Sequence, residues 1–162
     1  VHRRENFGRP LEAIASAILR LAKDFRNVEF HIPVHPNPKV RSYLSEALAG
    51  QDNISLLAPL AYPDLVALLD QCEFVITDSG GIQEEAPALG KPVIILRNET
   101  ERSEAVVLGG AVLVGSDEDL IVSIASRLLT DNECYKSMVL GYSPYGDGLA
   151  AKRIVDFIEA KQ

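Results

Sequence analysis

Residues 77–90, with the sequence TDSGGIQEEAPALG, combine the features of an anion-binding turn. A short apolar run that ends at Ile76 comes directly before them and indicates a buried strand. Gly80 and Gly81 then lead into residues typical of the first turns of a helix. Unpaired N–H groups at a helix N-terminus carry partial positive charge, and glycine lets a phosphate approach the backbone closely. The pattern predicts a phosphate site at Ser79, Gly80 and Gly81.

Glu85 lies about one turn inside this predicted helix. Its carboxylate can accept two hydrogen bonds from the hydroxyl groups of a sugar ring. Phosphate at the glycines and ribose at Glu85 together describe a nucleotide. A capped helix after a tight turn is the structural alternative, and the Ser79-Gly80-Gly81 triplet alone favours it. The choice depends on the rest of the chain.

The composition is that of an ordinary soluble globular protein. The chain has 162 residues, enough for one domain with a sizeable core, and 47% of them are hydrophobic. A formal net charge of −7 argues against a nucleic-acid partner. The apolar runs are too short to span a bilayer and no signal peptide is visible, so we expect no membrane partner and a cytoplasmic location. Cys72 and Cys134 lack metal-ligand spacing and are expected to be reduced, buried thiols.

Apolar strands alternate with helices along the chain. The predicted strands are 28–33, 54–58, 74–76, 92–96 and 111–114. Helices are predicted at 10–22, 40–48, 62–71, 82–90, 119–129, 131–138 and 147–160, the last of them capped by Asp147. This order predicts an α/β fold with a parallel sheet covered by helices on both faces.

Polar loops are predicted at the edge of this sheet where its ligands bind. Parallel sheets take ligands at the carboxyl ends of their strands, near a topological switch point. The loops concerned are 2–8, 34–38, 59–62, 78–81 and 97–104. Their convergence favours a binding site over a purely structural turn.

Five motifs in a fixed order make a family resemblance specific. They are HRREN at 2–6, PVHPNP at 33–38, the 77–90 stretch, TER at 100–102 and PYGDG at 144–148. Together they resemble the non-hydrolysing bacterial UDP-N-acetylglucosamine 2-epimerases over essentially the whole chain. That family has two Rossmann-like halves in a GT-B-type fold, with the sugar nucleotide between them. The resemblance implies that residues 1–162 are the C-terminal half, a single UDP-binding Rossmann-like domain. Two departures are Ser103, where proline is usual, and Gly110, where threonine is common.

The resemblance implies inversion at carbon 2 of the sugar, which interconverts UDP-GlcNAc and UDP-ManNAc through elimination and re-addition of UDP. Neither a nicotinamide cofactor nor a metal is required by this chemistry, and the full-length enzyme is expected to be a homodimer. The departing diphosphate needs N–H groups and arginines around it. The proton-moving carboxylates of the family belong to the N-terminal half, so this half alone is expected to be inactive.

By the same resemblance, the UDP contacts fall on six residues: Leu60, Ser79, Gly80, Gly81, Glu85 and Arg102. Glu85 matches a ribose-binding glutamate, and Leu60 matches a backbone contact to uracil. His2 is the candidate catalytic residue, for proton transfer. Arg3 and His35 are matched to the neighbourhood of a second, allosteric UDP-GlcNAc molecule, although His35 fits equally well as a turn cap between prolines.

Two other function classes fit the same residues. One is a GT-B-type nucleotide-sugar glycosyltransferase, whose donor site uses a similar glutamate. The other is a non-catalytic module that holds UDP without turnover. An assay that compares sugar transfer with epimerisation tests the glycosyltransferase alternative. The reading frame upstream of Val1 tests the non-catalytic module, because a second Rossmann-like half encoded there would make this chain a fragment of the enzyme.

Overall fold

The computed structural model describes residues 6–34 and 36–161, and in these ranges helices alternate with strands. The helices are α1 (Arg9–Asp24), α2 (Pro38–Ala47), α3 (Tyr62–Gln71), α4 (Gly80–Ala88), α5 (Glu104–Val107), α6 (Glu118–Thr130), α7 (Asn132–Met138) and α8 (Ala150–Glu159). The strands are β1 (Phe30–Pro33), β2 (Ile54–Leu57), β3 (Val75–Thr77), β4 (Val93–Ile95) and β5 (Ala111–Leu113).

All strand pairs are parallel, as predicted, but the strands form two sheets. β1 pairs with β2, and β4 lies between β3 and β5. Among the described residues no ladder pair joins the two groups. The strands are only three or four residues long, and Pro33 in β1 has no N–H to donate. Side chains of both groups, including Ile32, Ile76 and Ile94, nevertheless belong to one apolar cluster.

β4 shows why a parallel sheet forms here. Its residues Val93, Ile94 and Ile95 are completely buried. Ile94 packs in a cluster shared with α1 and α6, whereas Val93 and Ile95 pack against Ala86 of α4 and Ala105 of α5. Because successive side chains of a strand point to opposite faces, a continuous apolar run marks a strand covered on both sides. The predicted helices on both faces are confirmed.

The helix that precedes β1 follows its predicted pattern closely. Pro10 sits in the first turn of α1, where a missing N–H costs nothing. Buried residues recur every three or four positions along its length; they are Leu11, Ile14, Ala15, Ala17, Ile18, Leu21 and Ala22. This stripe packs against α6. The two helices therefore form one cover of the sheet.

Three local predictions need correction. Residues 97–104 were expected to be a loop, but the short helix α5 begins at Glu104. α8 begins at Ala150, and its N-cap is Leu149 rather than Asp147, whose carboxylate instead accepts the Leu149 N–H at 3.1 Å and binds Arg153. Cys72 and Cys134 are free thiols, as expected, but each is only partly buried.

α8 has no buried residue among those described. Its apolar side chains are mostly in contact with solvent, with Phe157 61% exposed and Ile154 60% exposed. Val155 and Ile158 are also exposed. Across the described ranges, no helix is both long enough and apolar enough to cross a membrane.

Candidate functional site

The turn between β3 and α4 leaves the first N–H groups of α4 uncapped by a side chain. Ser79 is the N-cap residue and has an extended backbone, but its side chain makes no capping hydrogen bond among the described residues. Its own N–H donates to Thr77 Oγ1 at 3.0 Å, which closes the turn. The first N–H groups of a helix have no partner within the helix. Among the described residues, the first N–H groups of α4 therefore have no side-chain cap, and the phosphate site at this turn stays a prediction.

Arg102 lies directly on this helix start. A Cβ atom added to Gly80 would come within 2.8 Å of Arg102 Nη1 and 2.9 Å of Arg102 Cζ. A Cβ added to Gly81 would meet only Glu85 Oε1, at an ordinary 3.8 Å. A Cβ at position 80 would therefore make the Arg102 guanidinium group, the far end of a flexible side chain, move away from the helix start.

Two carboxylates direct the guanidinium group of Arg102. Its Nε donates to Glu84 of α4, and its Nη1 donates to Glu101. The hydrogen bond that Arg102 donates to Glu84 is the main cause that raises the pKa of Arg102. A bond from its own backbone N–H, followed by one from the guanidinium group of Arg97, lowers the pKa of Glu101 to about 2. Glu101 therefore stays charged at neutral pH, and Glu84 serves to anchor Arg102.

Glu85 borders a cavity of about 380 Å³ between α4 and the segment that carries the PYGDG motif. The cavity is lined by Glu84, Glu85, Ala88, Ser143, Tyr145, Gly146, Asp147, Gly148, Ala150 and Arg153. Its volume is enough for a sugar ring. Leu60 follows β2 and is half-buried, and it does not line this cavity. The structure therefore places Arg102 beside Gly80 and Glu85 beside Gly81, whereas the lining of this cavity includes Glu85 but not Leu60, Ser79, Gly80, Gly81 or Arg102.

A second, smaller cavity of about 150 Å³ lies beyond the carboxyl ends of β4 and β5. Its lining includes Asn6, Leu96, Arg97 and Asn98. The side-chain amide of Asn6 donates to Asp78 Oδ2 at 3.0 Å and to the Leu96 carbonyl at 3.1 Å. Asn6 is 4% exposed and Asp78 is fully buried. A hydrogen bond to a buried charge of this kind typically contributes about 1.5–3 kcal/mol.

Asn6 and Asp78 were not singled out from the sequence. The signal was present, since Asn6 ends the HRREN motif and Asp78 is a charge placed directly after an apolar strand. Their contact attaches Asn6, the last residue of the motif, to the edge of the sheet, where Asp78 immediately precedes Ser79. His2, Arg3 and His35 themselves lie outside the described residues.

No cation-binding cluster accompanies this site. Within 6–34 and 36–161, no group of three or more His, Cys, Asp or Glu side chains is arranged to hold a metal ion.

Comparison with known proteins identifies the family. The family model described as UDP-N-acetylglucosamine 2-epimerase matches residues 1–159. The UDP-N-acetylglucosamine 2-epimerase of Bacillus subtilis is 46% identical over 155 residues, which cover 96% of this chain and 41% of that protein. The chain thus spans about two fifths of the length of the curated relatives it matches.

Solved structures agree with this assignment. The UDP-GlcNAc 2-epimerase of Neisseria meningitidis, bound to UDP-GlcNAc, superposes with a TM-score of 0.92 at 43% identity, covering 98% of this chain and 43% of that one. The S. aureus MnaA structure with UDP gives a TM-score of 0.92 at 41% identity, with the same coverage of 98% and 43%. The predicted fold class, the Rossmann-like C-terminal domain of a GT-B-type fold, is confirmed. The motifs, the fold and these matches agree, and the chain belongs to the UDP-N-acetylglucosamine 2-epimerase family.

Proposed function

We propose that this chain is the UDP-binding half of a UDP-N-acetylglucosamine 2-epimerase, an isomerase that interconverts UDP-GlcNAc and UDP-ManNAc by elimination and re-addition of UDP. One observation carries the proposal: the Arg102 guanidinium group lies over Gly80, one turn before Glu85, at a helix start that no described side chain caps. The groups proposed to bind phosphate, at Gly80 and Arg102, are then about one helical turn from Glu85, which is proposed to bind ribose. Two relatives whose structures resemble this chain contain UDP-GlcNAc or UDP.

The roles divide by chemistry. Ser79 and the N–H groups of Gly80 and Gly81, together with the Arg102 cation, hold the diphosphate as its bond to carbon 1 of the sugar breaks and the proton leaves carbon 2. Glu85 accepts hydrogen bonds from the ribose hydroxyl groups. The rise from Gly81 to Glu85 along α4 is about 6 Å, which a ribose and its 5′-phosphate can bridge.

The remaining roles are taken from the family resemblance. The backbone of Leu60 contacts uracil, and His2 transfers a proton. Arg3 and His35 lie near a second, allosteric UDP-GlcNAc molecule. The reaction needs no cofactor and no metal.

Binding measurements with three ligands test the nucleotide site. We expect the chain to bind UDP weakly, because half of the cleft belongs to the other domain, and to bind UMP and uridine more weakly still. The reason is that each lost phosphate removes charge-assisted hydrogen bonds to Arg102 and to the α4 N-terminus. Titration calorimetry supplies the three affinities, and sulfate at matched ionic strength is the control. Equal affinity for UDP and uridine would contradict a phosphate grip at the Ser79-Gly80-Gly81 turn.

The proposal includes a second Rossmann-like half in the complete protein. The chain spans about two fifths of its relatives, and the apolar side chains of α8 are exposed here. We propose that the other half covers the α8 face formed by Ile154, Val155, Phe157 and Ile158. Amide hydrogen exchange across Ala150–Glu159 should then be slower in a protein that contains both Rossmann-like halves than in this chain. Identical exchange rates in the two would remove the support that α8 gives.

The proposed cellular setting follows the family. The complete protein is proposed to be a homodimer in the cytoplasm, where free thiols such as Cys72 and Cys134 are the rule. Light scattering on the two-half protein measures the assembly state, and a strict monomer would contradict the homodimer.

A further inference from the structure

Side-chain hydroxyl groups hold both backbone polar groups of Arg102. The Arg102 N–H donates to Thr100 Oγ1 at 3.1 Å. Its carbonyl accepts a hydrogen bond from the hydroxyl of Tyr145, at 3.2 Å. Thr100 is a near neighbour in the chain, whereas Tyr145 is 43 residues further on, in the PYGDG motif. The position of Arg102 therefore depends on a distant segment.

The Tyr145 hydroxyl group bonds on both sides of Ser103. Besides its bond to the Arg102 carbonyl, it accepts the Ala105 N–H at 3.4 Å. Ala105 is in the first turn of α5, where N–H groups have no partner within the helix. One hydroxyl group thus satisfies two backbone groups, which fixes the turn that leads from Arg102 into α5.

The ring of Tyr145 is itself held in place. It packs against the cluster formed by Ala86, Val93, Ile95, Ala105 and Ala111. These residues lie on α4, β4, α5 and β5, the elements around the helix start. A ring fixed by this packing gives its hydroxyl group a defined position.

A second connection joins Arg102 to α4. The hydroxyl of Thr100 donates to Gln83 Oε1 at 2.6 Å, and Gln83 is completely buried. The backbone of Arg102 is thus tied to α4 through Thr100 and to the 144–148 segment through Tyr145. Its side chain is bonded to Glu84 and Glu101. These bonds hold the guanidinium group over Gly80, so less rotamer freedom is lost when an anion binds.

We propose that Tyr145 is a positioning residue that holds the guanidinium group of Arg102 at the α4 N-terminus and thereby raises the affinity for a nucleoside diphosphate. The inference rests on the proposed function, because the ligand concerned is the diphosphate of UDP. It assigns to the PYGDG motif a part in holding the leaving group.

Tyr145→Phe is the direct test, because it keeps the ring and removes only the hydroxyl group. Losing one hydrogen bond of typical strength predicts an affinity for UDP lower by about fivefold. Tyr145 also lines the cavity beside Glu85, but the variant keeps its ring, and the lost hydroxyl group is bonded to the backbone of Arg102 and Ala105. Uridine, which has no phosphate for Arg102 to hold, should therefore bind as before. Tyr135→Phe is the matched control, because the Tyr135 hydroxyl also donates to a backbone carbonyl at 3.2 Å, that of Glu73, away from the site. The control should leave both affinities unchanged.

A double-mutant cycle identifies the route of the effect. If Tyr145 acts through Arg102, Tyr145→Phe should have no further effect on UDP affinity in an Arg102→Ala background. A loss of the same size in that background would mean direct contact with the ligand and would overturn the proposal. An equal loss of UDP and uridine affinity in the single variant would overturn it as well.

A ligand-free measurement keeps this inference separate from the proposed function. The NMR signal of Arg102 Nε–H, assigned by its loss in Arg102→Lys, should be sharp because that group donates to Glu84. In Tyr145→Phe it should shift and broaden, and in Tyr135→Phe it should not. An unchanged signal in Tyr145→Phe would overturn the positioning role, whatever the wild-type chain binds. A wild-type chain that binds uridine and UDP equally, with the NMR shift still present, would overturn only the proposed function.

Discussion

UDP-GlcNAc incubated with this chain alone in deuterated water is expected to gain deuterium at carbon 2 no faster than in buffer. Removal and return of that proton need a positioned acid and base, each of which typically contributes about 10²–10⁴-fold in rate. The carboxylates around α4 already have other partners. Glu84 and Glu101 bind Arg102, and buried Asp78 accepts a hydrogen bond from Asn6. With Glu85 assigned to ribose, His2 is the remaining candidate, and the family resemblance places the acid and base carboxylates in the other half.

NMR at carbon 2 of the sugar follows both deuterium incorporation and the appearance of UDP-ManNAc. A full-length enzyme of the family, run under the same conditions, is the positive control. Turnover by this chain at a rate typical of enzymes would mean that the other half is dispensable. The roles assigned above would then be wrong, and so would the non-catalytic alternative.

The apolar strands and the helix faces could be predicted because they depend on local pattern. The run 92–96 is hydrophobic throughout, and β4 within it is buried on both faces. The predicted bounds of α3 coincide with the observed ones, Tyr62–Gln71. α5 could not be predicted, because four helical residues give too little periodicity to be recognised. The division of the strands into two sheets likewise depends on backbone geometry, which composition does not encode.

The strand, turn and helix that carry the proposed site could be predicted, because they are consecutive in sequence. The contacts between distant residues around them could not. Arg102 binds Glu84 across 18 positions, and Asn6 binds Asp78 across 72. Such pairs form because the loops after β3 and β4 lie side by side, and the spacing of residues in the sequence does not show this. The Arg102 guanidinium group beside Gly80 is a contact of the same kind.

Glu85→Ala should weaken the binding of UDP and of uridine by the same factor. The change removes the acceptor for the ribose hydroxyl groups and leaves them desolvated without a partner, at a cost of about 1–3 kcal/mol, or roughly 5–150-fold in affinity. Both ligands carry the ribose, so both should lose equally. Calorimetry gives the ratio of wild-type to variant affinity for UDP, and ligand-detected NMR gives the same ratio for uridine.

Glu84→Ala is the matched comparison on the neighbouring residue. Glu84 binds the guanidinium group of Arg102, so its removal should weaken UDP and leave uridine unaffected. Glu133→Ala, on the exposed side of α7, should change neither. The two glutamates are adjacent in sequence but are expected to act on different parts of the nucleotide, one on the ribose and the other, through Arg102, on the diphosphate. If Glu85→Ala leaves uridine affinity intact, the ribose assignment fails, and the nucleotide must lie on α4 in a different orientation.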